Sequence, residues 1–143
     1  MRDNKPTRYE STLRSRFFGV LTSLAVLIAV GGNSAAALNA TVGETETGLA
    51  AVYGSKLNGH RTASGAHYNP KALTAAHQTL PFGTKVKVTN VKNNKSVVVR
   101  INDRGPTQAG RIVDLSQAAG KAIGISHKST AEVKIEVVEV AKK

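Results

Sequence analysis

The sequence predicts an all-β domain, a small barrel with one short helix, within residues 47–140. Three features of the chain predict it. Short apolar runs recur, and two of them, residues 85–89 and 131–137, alternate strictly between apolar and polar side chains as half-buried strands do. Turn-forming glycine, proline, asparagine and aspartate residues separate the runs. Because strands and helices do not alternate along the chain, a barrel is favoured over a βαβ fold.

The first half of the domain contains two predicted strands joined by a long loop. Residues 47–53 form the first strand, and residues 72–76 form a short apolar second strand. Between them lies a stretch rich in glycine, asparagine and proline, from Gly54 to Pro70. Long loops inside small domains are often functional, so this loop is a candidate for a functional role.

The second half contains a predicted hairpin, a strand, a helix and a closing strand. Residues 85–89 pair with residues 96–101 through a turn at 92–95, where asparagine tolerates positive φ. A further strand covers residues 111–115. Ser116 is a suitable N-cap for a helix that ends at Gly124.

The N-terminal part of the chain predicts export. Residues 1–37 combine a basic start, an uncharged apolar run of 14 residues at 17–30 and a small-residue segment that ends at Ala37, which is typical of a signal peptide. The alternative is a membrane anchor, but a spanning helix needs about 20 apolar residues. We expect cleavage after Ala37, a disordered lead over residues 38–46, and no stable membrane insertion of the remaining chain.

Composition limits the classes of chemistry. The 143 residues include no cysteine, so disulfides, thiolate metal sites, cysteine nucleophiles and a lipid-anchored cysteine are excluded for this sequence. The net charge is +11. Lysine and arginine are spread along the chain and form no separate nucleic-acid-binding arm, whereas a basic surface suits an anionic cell wall. We therefore expect a protein exported to the periplasm without a lipid anchor and no nucleic-acid partner.

Asp103 is the first candidate for chemistry, because it lies where an apolar run gives way to a Gly-Pro turn at the end of the segment 100–106. The alternative is that its side chain only caps backbone N–H groups of that turn. His77 follows the second strand and is the second candidate, with a packed or surface histidine as the alternative. Asp114 is a further candidate for chemistry. The alternative is that it only caps the helix that begins at Ser116.

The histidines and tyrosines of the domain are each consistent with a functional role and with a purely structural one. His60, His67 and His77 suggest zinc, but their spacing matches no compact ligand motif, and we expect neither a metal nor a cofactor. Tyr53 and Tyr68 precede the hairpin, and either core packing or a stacking surface for sugar rings is consistent with their positions.

Five segments of the chain, taken together and in order, resemble the rare lipoprotein A (RlpA) family. The segments are residues 59–65, 72–84, 86–90, 96–106 and 110–116. The resemblance implies a six-stranded double-psi β-barrel. It also implies a function in the cell wall, because the family includes septal lytic transglycosylases that cut peptidoglycan glycan strands, prefer strands stripped of stem peptides and leave 1,6-anhydro-muramyl ends.

The resemblance also implies site residues. The catalytic aspartate of the family falls on Asp103 and its active-site histidine on His77, while a third, acidic family residue falls on Ala66. Substrate binding is assigned to six further residues. They are Arg104, Tyr53, Tyr68, Ser64, Gly65 and Asn102.

The expected function is that of a monomeric lytic transglycosylase acting on peptidoglycan glycan strands. One acid suffices for this reaction, since the sugar's own C6 hydroxyl group replaces water as the attacking group. The alternative is a glycan-binding barrel that grips wall polysaccharide without cutting it, as expansins do. Ala66 favours this alternative, because alanine supplies no carboxylate.

Overall fold

The computed structural model describes residues 40–142. The signal peptide assigned to residues 1–37 lies outside this range, as do the first two residues of the lead. The six strands and the one α-helix of the described range are defined as follows: β1 Thr45–Val52, β2 Thr74–Ala76, β3 Lys85–Asn90, β4 Ser96–Asp103, β5 Arg111–Leu115, α1 Gln117–Ala122 and β6 Ala131–Glu139.

The six strands close into a barrel in the order β1-β5-β2-β4-β3-β6. Two pairs are parallel, β1 with β5 and β2 with β4, and the other four are antiparallel. The predicted all-β, six-stranded barrel with one short helix is therefore confirmed. Strand β2 lies between β4 and β5, so Ala76 is paired with a residue of each of these strands.

The barrel interior follows from the alternation of the strands. In β3 the valines Val86 and Val88 are fully buried, while Lys85 and Lys87 are exposed, as a half-buried strand requires. The same alternation places Val133 and Ile135 of β6 in the core. The main apolar core results, to which every strand contributes.

The strand boundaries depart from the predictions mainly at the ends. Strand β1 begins at Thr45, so Thr45 and Glu46, which were assigned to the disordered lead, pair with β6. Their side chains are polar and exposed, so no apolar signal marks them. Strand β2 is shorter than predicted, and β4 extends to Asp103, because the ladder with β2 continues to that residue.

Helix α1 packs closely against β1. Ser116 is its N-cap, as predicted, and its side chain accepts a hydrogen bond from the Ala119 N–H group. Gly120 is buried, and a Cβ atom there would lie 2.4 Å from a methyl group of Val52. The helix therefore needs glycine at this contact. Within residues 40–142, α1 and the shorter helical turn at Ser55–Leu57 fall far short of the length and apolarity of a membrane-spanning helix.

Candidate active site

Asp103 lies at the end of β4 with three hydrogen-bond donors around its carboxylate. Oδ1 accepts from the backbone N–H groups of Ala63, at 2.9 Å, and of Arg104, at 2.8 Å. Oδ2 accepts from the Tyr53 hydroxyl group at 2.7 Å. The side chain is half-buried. The acid is thus held in one orientation by two loops and one buried phenol while part of it stays open to solvent.

Tyr53 and Tyr68 are buried between the barrel wall and the long loop. They are 9% and 4% exposed, and their rings pack edge to face with centroids 4.8 Å apart. Together with Ala76 they form a small cluster separate from the main core. The burial favours core packing over a stacking surface for sugar rings, and it places the Tyr53 hydroxyl group against the acid.

Burial also alters the acidity of these phenols. The pKa of Tyr53 is raised well above its ordinary value, first by burial and then by the hydrogen bond and negative charge of Asp103, with Asp114 adding to the effect. Burial raises the pKa of Tyr68 as well, against a smaller opposite effect of the Gln117 N–H group that donates to its oxygen. Both phenols are therefore neutral at physiological pH, and the Tyr53 hydroxyl group donates to Asp103 while that of Tyr68 accepts from Gln117.

The long loop that follows β1 folds back over the end of β4. The Ser64 N–H group donates to the carbonyl oxygen of Asn102 at 3.3 Å, next to the bond between Ala63 and Asp103. Gly65 has a φ of +91°, which turns the chain here. Asn102 itself is buried, and its Oδ1 has no hydrogen-bond partner among residues 40–142. Ser64, Gly65 and Asn102 therefore lie beside the acid.

His77 adjoins Asp103 through the backbone, but its ring has other partners. The His77 N–H group donates to the carbonyl oxygen of Asp103 at 3.2 Å. Nδ1 of the buried ring accepts from the N–H groups of Thr79 and Leu80, each at 3.1 Å. Nε2 therefore carries the ring proton and donates to Oε2 of Glu46 at 2.9 Å. The His77 ring is thus bonded to Glu46 and not to the Asp103 carboxylate, whose partners within residues 40–142 are Tyr53, Ala63 and Arg104.

Arg104 stabilises the turn that His77 begins. Its guanidinium group donates to the carbonyl oxygens of Leu80, at 2.7 Å, and His77, at 3.2 Å. It also lies over the ring of Phe82, 4.0 Å from the centroid, a cation–π arrangement. Phe82 and Arg104 both stay partly exposed, and Arg104 directly follows Asp103 in the chain.

Asp114 does not cap the helix, since that role belongs to Ser116. It forms an ion pair with Arg111, and both side chains are largely buried, at 15% and 23% exposure. His67 bonds the Gly59 carbonyl oxygen through Nδ1. Residues 40–142 hold no cluster of three or more histidine and acidic side chains that could bind a metal ion, so the three histidines are not brought together as zinc ligands.

Two surface cavities of similar size flank the 124–131 segment. One of about 520 Å³ is lined by residues that include Val52, Gln117, Lys121 and His127. The other, of about 530 Å³, lies against the β3–β4 hairpin. Neither of these two cavities is lined by Asp103 or His77.

Comparison with known families identifies the chain. A family model described as "Lytic transglycolase" matches residues 45–135, most of the described range. The chain belongs to this family. The matched range begins with the first residue of β1 and includes Asp103, His77 and Glu46, so all parts of the site lie within the family's own domain.

Curated relatives of the family agree with the resemblance to RlpA. The chain is 53% identical over 100 residues to the probable endolytic peptidoglycan transglycosylase RlpA of Synechocystis, covering 70% of this chain and 31% of that protein. It is 54% identical over 100 residues to the endolytic peptidoglycan transglycosylase RlpA of Vibrio cholerae, covering 70% of this chain and 38% of that protein. The chain thus matches only about a third of the length of these relatives.

Solved structures share the fold at low sequence identity. The Streptomyces papain inhibitor is matched over all of its length and 71% of this chain, with a TM-score of 0.54 and 20% identity. The expansin of Clavibacter michiganensis is matched over 53% of its length and 70% of this chain, with a TM-score of 0.52 and 22% identity. The implied double-psi β-barrel is confirmed.

Two contacts of the site were not foreseen from the sequence. Glu46 lies in a polar segment that carries no periodic signal, and its partner His77 is 31 residues away. Ala63 contacts Asp103 through its backbone N–H group, and the identity of its side chain does not predict this contact. The sequence signals that could have indicated these contacts are the negative charge of Glu46 and, for Ala63, a loop long enough to fold back over the barrel.

Proposed function

We propose that the protein is a lytic transglycosylase that cleaves peptidoglycan glycan strands. The orientation of Asp103 supports this most directly. It is a half-buried carboxylate at a strand end, fixed by three donors and partly open to solvent. The relatives named endolytic peptidoglycan transglycosylases, at about half identity over this domain, support the same reaction class.

In this mechanism Asp103 is the proton donor. The protonated acid gives its proton to the glycosidic oxygen, and the bond from that oxygen to C1 breaks. The C6 hydroxyl oxygen of the same sugar then bonds to C1, and its proton passes to the Asp103 carboxylate, which restores the acid. All three protein neighbours of the carboxylate are donors. These donors hold the carboxyl group in one orientation and stabilise the carboxylate that forms as the proton leaves.

The remaining site residues position the acid and the strand. Tyr53 and the Ala63 N–H group fix the carboxylate. His77 and Arg104 fix the turn beside it, and exposed parts of Arg104 and Phe82 offer a polar and an apolar contact to a sugar. The finer features, 1,6-anhydro-muramyl ends, preference for peptide-stripped strands and action in the periplasm near the division septum, belong to this proposal.

A glycan-binding role without cleavage is the second candidate. The specific observation that favours it is Ala66, which is exposed on the loop beside the acid and carries no carboxylate. An expansin-like barrel would use the same open surface to hold wall polysaccharide.

Digestion of peptide-stripped glycan separates the two functions. Anhydro-muramyl ends released by the wild-type protein and abolished in Asp103→Asn, with glycan pull-down retained, support the enzyme. Asparagine keeps the shape and accepting oxygen of aspartate but has no acidic proton to give. Pull-down without any released ends supports the binding protein. Glu139→Gln, which changes an exposed carboxylate of β6 that pairs with Lys85 and not with a residue of the site, is the matched control and should cleave normally.

A further inference from the structure

Ala76 of β2 is flanked by an aspartate on each neighbouring strand. The register of the parallel pair places Ala76 opposite Asp103 of β4, and the register of the antiparallel pair places it opposite Asp114 of β5. Adjacent strands lie about 4.8 Å apart. The backbones of the two aspartates are therefore separated by about 10 Å across one strand, close enough for both side chains to face a single sugar ring.

Both carboxylates lie on the same face of the barrel wall. Val113 and Leu115, the neighbours of Asp114 in β5, point into the core, so Asp114 points outward. Ala76 shares that outer face, because it packs with Tyr53 and Tyr68 rather than with the main core. The Tyr53 hydroxyl group reaches Asp103 there, and the charge of Asp114 acts on the same phenol by raising its pKa.

The environment of Asp114 leaves one of its oxygens available. Oδ1 is engaged by Arg111, whereas Oδ2 accepts no hydrogen bond from any residue between 40 and 142. A Cβ atom on Gly105 would lie 4.0 Å from this oxygen, and Gly105 has no side chain to cover it. Gly105 belongs to the turn directly after Asp103 and Arg104. The turn that follows the proton donor thus passes close to Oδ2 of the largely buried Asp114 without placing a side chain over it.

We propose that Asp114 is a second functional carboxylate of this site, which faces the sugar whose glycosidic bond Asp103 protonates and stabilises its positive charge in the transition state. Glycoside cleavage passes through an oxocarbenium-like state with positive charge on C1 and the ring oxygen. A fixed negative charge near that position lowers the barrier. The ion pair with Arg111 holds Asp114 in place. This role rests on the proposed transglycosylase function.

A purely structural ion pair is the competing explanation, and the two make different predictions. If Asp114 serves only to pair with Arg111, loss of either partner should lower stability alike and leave turnover of the folded protein unchanged. If Asp114 stabilises charge on the sugar, its carboxylate should matter for turnover beyond its effect on folding. Glycan affinity should change little in that case, because the positive charge exists only in the transition state.

The experiment compares Asp114→Asn, Asp114→Glu and Arg111→Gln in the full chain. Release of anhydro-muramyl ends gives kcat and KM, and urea unfolding gives stability. We expect Asp114→Asn to lower kcat by about 10²- to 10³-fold with KM within about twofold of wild type. Asp114→Glu should recover part of kcat. Arg111→Gln should lower stability but reduce kcat less than Asp114→Asn does.

The outcomes that overturn the role of Asp114 are distinct from those that overturn the function. A folded Asp114→Asn protein with wild-type kcat, or equal losses of kcat in Asp114→Asn and Arg111→Gln, would reject the charge role while the transglycosylase function stands. Reducing ends in place of anhydro ends would also reject it, because the second carboxylate would then activate water. If the wild-type protein releases no ends at all, the transglycosylase function itself is wrong.

Discussion

The Tyr53 hydroxyl group donates a 2.7 Å hydrogen bond to Oδ2 of Asp103, a residue 50 positions later in the chain. Tyr53 comes directly after β1 and Asp103 ends β4, and two strands, β5 and β2, lie between them in the barrel. The phenol therefore crosses the outer face of the wall to reach the acid. A buried aromatic ring with two rotatable side-chain bonds holds its hydroxyl group in place at low entropic cost.

Removal of this hydroxyl group should reduce turnover more than folding. A hydrogen bond to a charged group contributes about 1.5 to 3 kcal/mol, so its loss from a transition state corresponds to about a tenfold or larger reduction in kcat. We expect Tyr53→Phe to show this reduction in release of anhydro-muramyl ends. Tyr68→Phe is the matched control, because that hydroxyl group accepts from Gln117 and does not touch the acid. Equal activities of the two variants would contradict the role of Tyr53.

The buried tyrosines should also make the protein less stable at alkaline pH. Their pKa values are raised in the folded state by burial, for Tyr53 with the further effect of Asp103. Above about pH 10 the unfolded tyrosines lose their protons while the folded ones keep them, so the unfolded state binds fewer protons. The free energy of unfolding must then fall as pH rises, and the tyrosine contribution is fully present only below about pH 10.

Urea unfolding at pH 9 and pH 11 measures this fall. The decrease should be smaller in Tyr53→Phe than in the wild-type protein, because phenylalanine has no proton to lose. A decrease of the same size in both proteins would show that Tyr53 does not contribute to the alkaline instability.

Glu46 and His77 should couple in a double-mutant cycle of stability. His77→Ala leaves the N–H groups of Thr79 and Leu80 without their acceptor, which should cost at least about 2 kcal/mol. Glu46 is about half exposed, so Glu46→Gln should cost less than about 1 kcal/mol. The double variant should be less destabilised than the sum of the two. Additive losses in urea unfolding would mean that the contact between the two residues contributes nothing.

The same variants test whether His77 acts on the substrate or through the turn. If His77 only positions the turn, His77→Asn, whose side-chain oxygen can still accept from nearby N–H groups, should retain more activity than His77→Ala. Glu44→Gln is the control for Glu46→Gln, since Glu44 is a nearby exposed acid that forms no ion pair in the described range. Complete and equal loss of activity in both His77 variants, with folding intact, would instead indicate direct participation of the imidazole ring.

The local pattern of the sequence predicts the strands better than it predicts the site. Strands β3 and β6 were located because a period of two marks them directly. The start of β1 was missed, because Thr45 and Glu46 pair with β6 through backbone groups and bury no apolar side chain. Hydrogen bonds between backbones are made by every residue type, so such a segment carries no signal in its side chains.

The contacts of the site join residues that are brought together only when the barrel closes. The local pattern of the sequence does not show which distant residues will meet. The positions of Asp103 and His77 made them candidates, and the family resemblance assigned their roles. The partners that orient them, Tyr53 and Glu46, lie 50 and 31 residues away. A tyrosine near a site is equally consistent with stacking on a sugar and with packing in a core, and only the path of the loop over its ring decides between these roles.

Gly120 of α1 should resist replacement. A Cβ atom there would lie 2.4 Å from Val52 and 3.1 Å from the Ile125 carbonyl oxygen, so alanine forces the helix away from β1. We expect Gly120→Ala to lower the free energy of unfolding by about 1 to 3 kcal/mol, although alanine favours helices more than glycine does. Gly54→Ala is the matched control, since nothing lies within 4 Å of its Cβ position and its φ is −71°. Equal stabilities in urea unfolding would contradict this packing.

Replacement of Ala66 by glutamate tests whether the loop beside the acid can support more activity. The family resemblance places an acidic residue here. Ala66 is exposed, and its local bonds use only backbone atoms, with its carbonyl oxygen accepting from Thr62 and its N–H group facing Ser64. A longer side chain therefore fits without disturbing the loop, and stability should change by less than about 0.5 kcal/mol.

If the missing carboxylate limits the reaction, Ala66→Glu should release anhydro-muramyl ends faster than the wild-type protein, and Ala66→Gln, which has the same size but no charge, should not. The gain should vanish when Asp103→Asn is added. A carboxylate at position 66 can assist the acid but lacks the three hydrogen-bond donors that orient Asp103 at the end of β4. Equal rates in the wild-type protein, Ala66→Glu and Ala66→Gln would show that the lack of an acid on this loop does not limit the reaction.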